Sequence, residues 1–152
     1  MKIRTASEIA KYFIGASQRR NKPISNLKLQ KLLYYAQAWH LVLHERPLFS
    51  DDIEAWVHGP VVRQVFREYR TFGWKPIEID RKSDVTFDIQ TVQHLDEVEG
   101  VYGKFGGIEL ERMTHREAPW RDARGTLAPD EPSNRVITHE AMKRFYTAKL
   151  NG

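Results

Sequence analysis

The densest group of side chains able to transfer protons lies at Thr114, His115 and Glu117, with Trp120 close behind. An imidazole and a carboxylate suit acid–base catalysis or metal binding. Two ligands fall short of the three that a catalytic zinc site uses, and the His-Glu-x-x-His spacing does not occur. We therefore expect an internal role, in which Thr114 or Glu117 caps a helical turn and His115 lies in a partly buried polar network. Contact with a partner is the alternative, and a hydrolase or transferase would need a nucleophile beside the pair.

A second pair of imidazoles, His40 and His44, lies four residues apart and would face one side of a helix. Together with Asn26, Gln30 and Gln37 they form a narrow polar stripe, which we expect to be solvated and to lack a third metal ligand. The chain has no cysteine, so thiol catalysis and thiolate metal sites are excluded. Hydrolase, P-loop and dinucleotide-binding motifs do not occur either. We predict no catalytic residue, no metal and no cofactor, and therefore a protein that is not an enzyme.

The tripeptide His58, Gly59 and Pro60 follows residues 53–57, which alternate apolar and polar side chains like a short strand. Proline suits the first turn of a helix, where its missing N–H has no partner, so we expect a helix to begin at Pro60. The N–H groups of a helix start attract anions, and His58 would add an imidazole to such a site. The alternative that we favour is a structural turn, in which Gly59 supplies conformational freedom.

The elements that position these residues show mostly helical periodicity. Thr5 and Glu8 have the capping-box spacing ahead of a first helix that should end near residues 19–20. Thr138 has the position of a cap before a last helix. Further helices are expected within residues 61–69, 92–105, 108–113 and 118–124, and a weak strand at residues 77–79.

The segment of about residues 25–44 is apolar around almost its whole circumference, which predicts a helix packed on several sides. We therefore predict a mainly α fold: a single compact multi-helix domain, residues 1–152, around this central buried helix. A small β element of short strands would complete it.

Lys31 lies among apolar and aromatic side chains of the central helix, beside Tyr34 and Tyr35. Because burying an unpaired ammonium is costly, Lys31 must reach solvent, pair with a carboxylate or lie on an exposed face. Exposed aromatic residues around a cation are typical anchors for a protein partner, so this face is our preferred functional surface. The alternative is that both tyrosines fill the core and Lys31 pairs with an acidic neighbour.

Charge and composition exclude several classes of protein. The net charge of +4 comes from 24 basic and 20 acidic residues that are largely interleaved, which makes nucleic-acid binding a secondary option. The longest apolar-rich stretch is interrupted by charged side chains, so we expect no membrane span. The N-terminus lacks the apolar run of a signal peptide, and together with the absence of cysteine this favours the cytoplasm.

Three stretches carry a resemblance to a known family. They are LKLQKLLYYAQAW at residues 27–39, PLF followed by IEAWVHGPVV within residues 47–62, and THREAPW at residues 114–120. In order and spacing they resemble the Panacea domain family of SocA-like and GepA-like phage-associated antitoxin proteins. The resemblance implies an antitoxin of a toxin–antitoxin system that binds and neutralises a cognate protein toxin. It also implies, for some members, an adaptor role that delivers the toxin to an ATP-dependent protease.

Residue by residue, we place partner binding on the central helix and on the tripeptide region. The predicted partner-binding residues are Lys31, Tyr34, Tyr35, Trp56, His58, Gly59 and Pro60. A polar network or a further partner contact is predicted at Thr114, His115, Glu117 and Trp120. The alternative function is a nucleic-acid-binding regulator encoded on a phage or mobile element.

Overall fold

The structure, a computed structural model, describes residues 2–80 and 85–152. Within these residues it contains seven α-helices, one β-hairpin and a 3₁₀ turn, as the mainly α prediction requires. The helices are α1 (Ala6–Arg19), α2 (Asn26–His44), α3 (Arg63–Glu68), α4 (Ile89–Tyr102), α5 (Gly107–His115), α6 (Ala118–Arg124) and α7 (His139–Asn151). The strands are β1 (Glu54–Trp56) and β2 (Gly59–Val61), and the 3₁₀ turn is Arg70–Phe72. None of the described helices is long and apolar enough to cross a membrane.

Short polar side chains start the long helices. The predicted capping box of α1 is confirmed, because Glu8 N–H donates to Thr5 Oγ1 at 3.2 Å and Thr5 N–H donates to Glu8 Oε1 at 3.0 Å. Ser25, Asp88 and Thr138 accept the equivalent backbone bond at the starts of α2, α4 and α7. These local signals, legible in the sequence, fix where the helices begin.

Helix α2 is the centre of the fold, as predicted. It packs against α1, α3, α4, α5, α7 and β2, and residues 29–38 are all buried. Ten consecutive buried positions cover nearly three turns, so protein surrounds the helix on every side. Tyr34, Tyr35, Leu29, Leu32 and Leu33 are among its fully buried side chains.

The polar stripe of α2 is buried up to His40 rather than solvated, which corrects the expectation for Asn26, Gln30, Gln37 and His40, while His44 is exposed. Gln30 Oε1 accepts the Val62 N–H at 2.9 Å, and Gln37 Oε1 accepts the Leu48 N–H at 2.8 Å. These amides satisfy backbone groups of the chain that wraps around α2, so burial costs them little. The stripe therefore ties α2 to the segments that follow it.

The hairpin lies where the sequence predicted a short strand, but the element after it differs. Strands β1 and β2 are antiparallel, with Ala55 opposite Pro60 and Trp56 opposite Gly59. The prediction that a helix begins at Pro60 is wrong, because Pro60 lies within β2 and α3 begins only at Arg63. The option of an anion site at a helix start therefore does not apply to His58 and Pro60, and the favoured structural turn describes the hairpin between β1 and β2.

The strand expected at residues 77–79 is also wrong, since no described residue pairs with it as a strand. Ile77 is instead fully buried, and its N–H donates to the Ile24 carbonyl at 2.8 Å. The N–H of Ile79 donates to Gln18 Oε1 at 2.8 Å. Gln18 Nε2 also donates to the Ile79 carbonyl at 3.2 Å, so a buried isoleucine and these hydrogen bonds hold the segment without a sheet.

Candidate functional site

The predicted face of Lys31, Tyr34 and Tyr35 is not exposed. All three side chains are buried, with 0–1% of their surface accessible. The prediction that they form an exposed surface is therefore wrong, and the alternative in which the tyrosines fill the core describes them correctly. The cause is the position of α2, because a helix covered on all sides leaves no face free.

The two tyrosines belong to a tyrosine–carboxylate cluster that comprises Tyr34, Tyr35, Glu117 and Tyr146. Glu117 Oε1 accepts hydrogen bonds from Tyr35 at 2.7 Å and from Tyr146 at 3.1 Å, and the hydroxyls of Tyr146 and Tyr34 are hydrogen-bonded to each other at 3.0 Å. Burial raises the pKa of the tyrosine hydroxyls of Tyr34, Tyr35 and Tyr146 well above the ordinary value, so they stay neutral donors. The cluster joins α2, α6 and α7.

Lys31 has less support than these tyrosines. Among the described residues its Nζ makes one hydrogen bond, to the Pro60 carbonyl at 3.1 Å, and takes part in no ion pair. Burial lowers the pKa of Lys31 to about 7, while the negative charge of Glu111 raises it only in part. The expected pairing with an acidic neighbour is thus replaced by a backbone carbonyl and a more distant carboxylate.

Position 59 requires a glycine because it lies close to Lys31. Its φ of +104° is one that L side chains rarely adopt, and a Cβ there would lie 2.6 Å from Lys31 Cε and 3.0 Å from Thr114 Oγ1. Only a glycine lets the hairpin approach α2 and α5 this closely. The structural explanation of Gly59 therefore accounts for it, and the lysine is wedged between the hairpin and α5.

A cavity of about 330 Å³ opens beside the hairpin and is lined by three of the predicted partner-binding residues, Lys31, Trp56 and His58. We call it the tryptophan groove. The floor is buried and consists of Asn26, Gln30, Lys31 and Val61. The walls are half-buried and consist of Leu27, Trp56 and Phe66. The rim is exposed and consists of His58, Arg70, Gly73 and Trp74. The surface is mostly apolar, and it is open to solvent on the side of Trp74.

Two tryptophans of the groove differ in how they are held. Trp56 is fixed, since its Nε1 donates to Glu54 Oε1 at 2.9 Å and its ring meets Phe66 edge-on with 5.1 Å between centroids. Trp74 is 73% exposed and its indole contacts the His58 ring edge-on, at 6.2 Å between centroids. Phe66, Arg70 and Trp74 were not predicted as site residues. The sequence signal that could have identified Trp74 is a tryptophan in the polar, irregular segment that follows α3.

The second predicted cluster does not converge on one point. Glu117 lies in the tyrosine–carboxylate cluster, whereas His115 stacks on Trp120 with 4.0 Å between ring centroids, and its buried Nε2 has no hydrogen-bond partner among the described residues. Thr114 Oγ1 donates to the Glu111 carbonyl at 2.7 Å. No side-chain cap forms at Glu117, so the capping expectation for Thr114 and Glu117 is wrong. His115 and Glu117 are not brought together as an acid–base pair, and contact of these residues with a partner stays a prediction.

Trp120 has a positioning role towards the groove. Its Nε1 donates to the Trp56 carbonyl at 2.7 Å, and Arg124 Nη1 donates to the neighbouring Ala55 carbonyl at 3.1 Å. Both side chains belong to α6 and are buried. They hold β1 in place and with it the indole of Trp56.

A third histidine joins the pair on α2, which sequence reasoning missed. His94 of α4 lies with its ring centroid 5.0 Å from that of His40 and 5.6 Å from that of His44. His94 Nε2 is bonded to the Ala36 carbonyl at 2.8 Å and His40 Nδ1 to the Arg46 carbonyl at 2.6 Å. Burial lowers the pKa of His40 to about 4. Among the described residues no group of ligands has the arrangement needed to hold a metal ion.

Comparison with known proteins identifies the family of this chain. The family described as "Antitoxin SocA-like, Panacea domain" matches residues 29–121, which include Lys31, Trp56 and Trp74 of the groove. The chain belongs to this family. Antitoxin SocA of Caulobacter vibrioides (strain NA1000 / CB15N) is 33% identical over 128 residues, covering 76% of this chain and 68% of that protein. No solved structure matches the chain. The resemblance inferred from the three stretches is thus confirmed, and an antitoxin role follows for this Panacea-family protein.

Proposed function

We propose that this Panacea-family protein neutralises a cognate protein toxin by binding it directly, with the tryptophan groove as the contact surface. The observation that carries the proposal is Trp74, a large aromatic side chain left 73% exposed at the mouth of an apolar cavity. An apolar patch with a polar rim marks an interaction site, and tryptophan is the residue type most enriched among binding hot spots.

The groove is built to bind without much rearrangement. The ring nitrogen of Trp56 donates a hydrogen bond to Glu54, and the backbone carbonyl of Trp56 accepts one from Trp120. A side chain fixed before binding loses little conformational entropy when a partner arrives, so more of the contact energy appears as affinity. Trp74, on the exposed rim, has fewer contacts to hold it and suits adaptation to the partner's shape.

Neutralisation in this proposal is stoichiometric and involves no chemical step on the toxin. The best-placed carboxylate for catalysis, Glu117, accepts two tyrosine hydroxyls in the core, and His115 is stacked on an indole. Groups engaged in this way support the fold rather than a reaction. The antitoxin would then act by covering the active region of the toxin.

Two finer roles stay predictions. Delivery of the bound toxin to an ATP-dependent protease predicts that the toxin's half-life lengthens when the protease is deleted while this chain is present. The alternative of a nucleic-acid-binding regulator predicts salt-dependent binding of DNA by the isolated protein, with a steep loss of affinity as salt rises.

The test uses the protein encoded by the neighbouring reading frame, expressed from an inducible promoter with and without this chain. We expect growth arrest alone, rescue on co-expression and a complex that co-purifies. Trp74→Ala should weaken the complex by roughly 30-fold, since a hot-spot tryptophan contributes about 2 kcal/mol or more. Ile89→Ala is the matched control, because Ile89 is 72% exposed on α4 and lines no part of the groove. Rescue and binding unchanged by Trp74→Ala would refute the groove as the contact surface.

A further inference from the structure

The charged side chains that line the tryptophan groove are basic. Lys31 lies at its floor and Arg70 at its rim, and no carboxylate is among the described residues that line it. Two acidic residues of neighbouring elements are already engaged, because Glu54 pairs with Arg63 at 2.8 Å and Glu111 with His58 at 3.2 Å. An apolar cavity with cations alone attracts an apolar ligand that carries an anion.

Lys31 is under-used by the fold. An ammonium has three N–H donors, and in this structure one of them reaches the Pro60 carbonyl. Gly59 packs closely against the Lys31 side chain, which is fully buried in this structure. Its charge lies below the cavity surface, where the low dielectric makes attraction to an anion many times stronger than in water. A buried cation that has no ion-pair partner within residues 2–80 and 85–152 is suited to meet an anion brought by a ligand.

We infer that the segment of the toxin that enters the tryptophan groove carries a carboxylate next to a bulky apolar side chain, with the carboxylate placed over Lys31 and beside Arg70. This inference rests on the proposed function for the source of the segment. The apolar side chain packs between Trp56 and Trp74, and the carboxylate supplies the negative charge that Lys31 lacks. The cavity of about 330 Å³ lies at the small end of ligand sites, which fits one side chain and its neighbour rather than a folded surface.

The direct test compares two synthetic peptides, acetyl-Ser-Leu-Phe-Asp-Ser-amide and its counterpart with Asn in place of Asp. Binding is followed through the indole N–H signals of Trp56 and Trp74 in heteronuclear NMR spectra of the whole chain. We expect the Asp peptide to bind about tenfold more tightly, as a charge-assisted contact in a partly buried site predicts. Equal affinities, or no binding of either peptide, would overturn the inference. So would equally tight binding of free N-acetyl-phenylalaninate, which would identify a small carboxylate as the ligand.

Variants assign the effect to the two cations. Lys31→Met and Arg70→Gln should each reduce the preference for the Asp peptide while leaving the Asn peptide within about twofold. Lys28→Met is the matched control, since Lys28 lies on the same helix, is half-buried and donates to the Gly103 carbonyl outside the groove. Arg70 is exposed, so Arg70→Gln tests the charge without disturbing the core. A full preference retained in both groove variants would contradict the inference.

Proton uptake gives a second readout. A carboxylate over Lys31 favours its charged form, so binding of the Asp peptide near pH 7 should take up protons, measured by calorimetry in phosphate and Tris buffers. The other ionisable groups around Lys31 are Glu111 and His115 on α5, His58 on the hairpin and Arg70 at the rim. The uptake should disappear in Lys31→Met and persist in His58→Gln. Uptake that follows His58 instead would overturn the role of Lys31.

The two proposals fail separately. If growth is rescued and the toxin is bound, but the Asp and Asn peptides bind equally, the antitoxin function stands and the carboxylate inference is refuted. If the neighbouring protein neither arrests growth nor binds while the Asp peptide depends on Lys31, the chemistry of the groove stands and the toxin as its source is refuted.

Discussion

Replacing Lys31 by methionine should make the protein more stable, although it removes a buried hydrogen bond. Folding lowers the pKa of Lys31 from 10.5 to about 7. At pH 7 this difference opposes folding by about 4 kcal/mol, because the lysine is charged in the unfolded chain and must enter a dry site. The lost bond to the Pro60 carbonyl costs about 1 kcal/mol. Lys31→Met, with a side chain of similar length, should therefore stabilise the fold by about 3 kcal/mol.

Urea unfolding at two pH values tests both the size and the origin of this gain. A group whose folded pKa is lowered opposes folding while it is protonated, so the wild type regains stability as pH rises from about 7 to 10.5. The advantage of Lys31→Met should thus shrink by about 2 kcal/mol between pH 7 and pH 9. Other lysines titrate equally in both proteins and cancel in the difference.

Two results would refute this reasoning. One is a Lys31→Met protein less stable than the wild type at pH 7, which would mean that the lysine contributes to the fold. The other is a stability difference that does not change with pH. Lys28→Met should change stability by less than about 1 kcal/mol, since Lys28 is only half-buried and its ammonium is partly solvated. A gain in stability coupled to a loss of binding would identify Lys31 as a residue kept for function.

Three further perturbations test the core around the groove. Gly59→Ala should destabilise the protein by about 2–4 kcal/mol in thermal unfolding, because the new Cβ would collide with Lys31 and alanine disfavours this backbone conformation. An unchanged melting temperature would contradict the close packing of Gly59 against Lys31. Tyr35→Phe should cost about 2 kcal/mol, since the buried Glu117 loses its shorter hydroxyl donor, and a loss below about 0.5 kcal/mol would refute the importance of that bond. The free energy of unfolding should fall by about 2 kcal/mol from pH 7 to pH 5 because of His40. Its pKa is lowered to about 4 in the folded protein, so the unfolded chain takes up the proton first. His40→Gln should lack this part of the acid sensitivity, and an identical pH profile in the variant would contradict the assignment.

Local signals in the sequence predicted the helices well. The capping box of Thr5 and Glu8 satisfies backbone groups within four residues, so its meaning does not depend on the rest of the fold. The central helix was predictable for a similar reason, because a segment apolar on all sides has to be covered on all sides. The short strand at residues 54–56 followed from alternation.

The errors arose where a distant segment decides the environment. Gln30 was placed in solvent because its partner, the Val62 N–H, lies 32 residues away in sequence. Lys31 was placed on a surface because nothing local reveals that the hairpin and α5 enclose it. His94 joins the histidines of α2 from another helix, 58 residues after the Ala36 carbonyl to which it bonds. Tertiary contacts of this range leave no periodic pattern in a single sequence.

The groove itself was only partly predicted. Lys31, Trp56 and His58 were named as partner-binding residues, whereas Trp74 and Arg70 were not named. The latter two reach the groove through the 3₁₀ turn and loop after α3, whose path depends on packing rather than on local propensity. Surface sites assembled from loops are the part of a fold that sequence patterns predict least well.

Site-specific photo-crosslinking in cells tests the central claim most directly. A photo-reactive amino acid is incorporated in place of Lys75, an exposed residue beside Trp74, and separately in place of Ile89 on α4. While each variant rescues growth from the neighbouring toxin, we predict a covalent adduct with the toxin from position 75 and none from position 89. Rescue without an adduct at position 75, or equal adducts at both positions, would contradict the tryptophan groove as the toxin-binding surface.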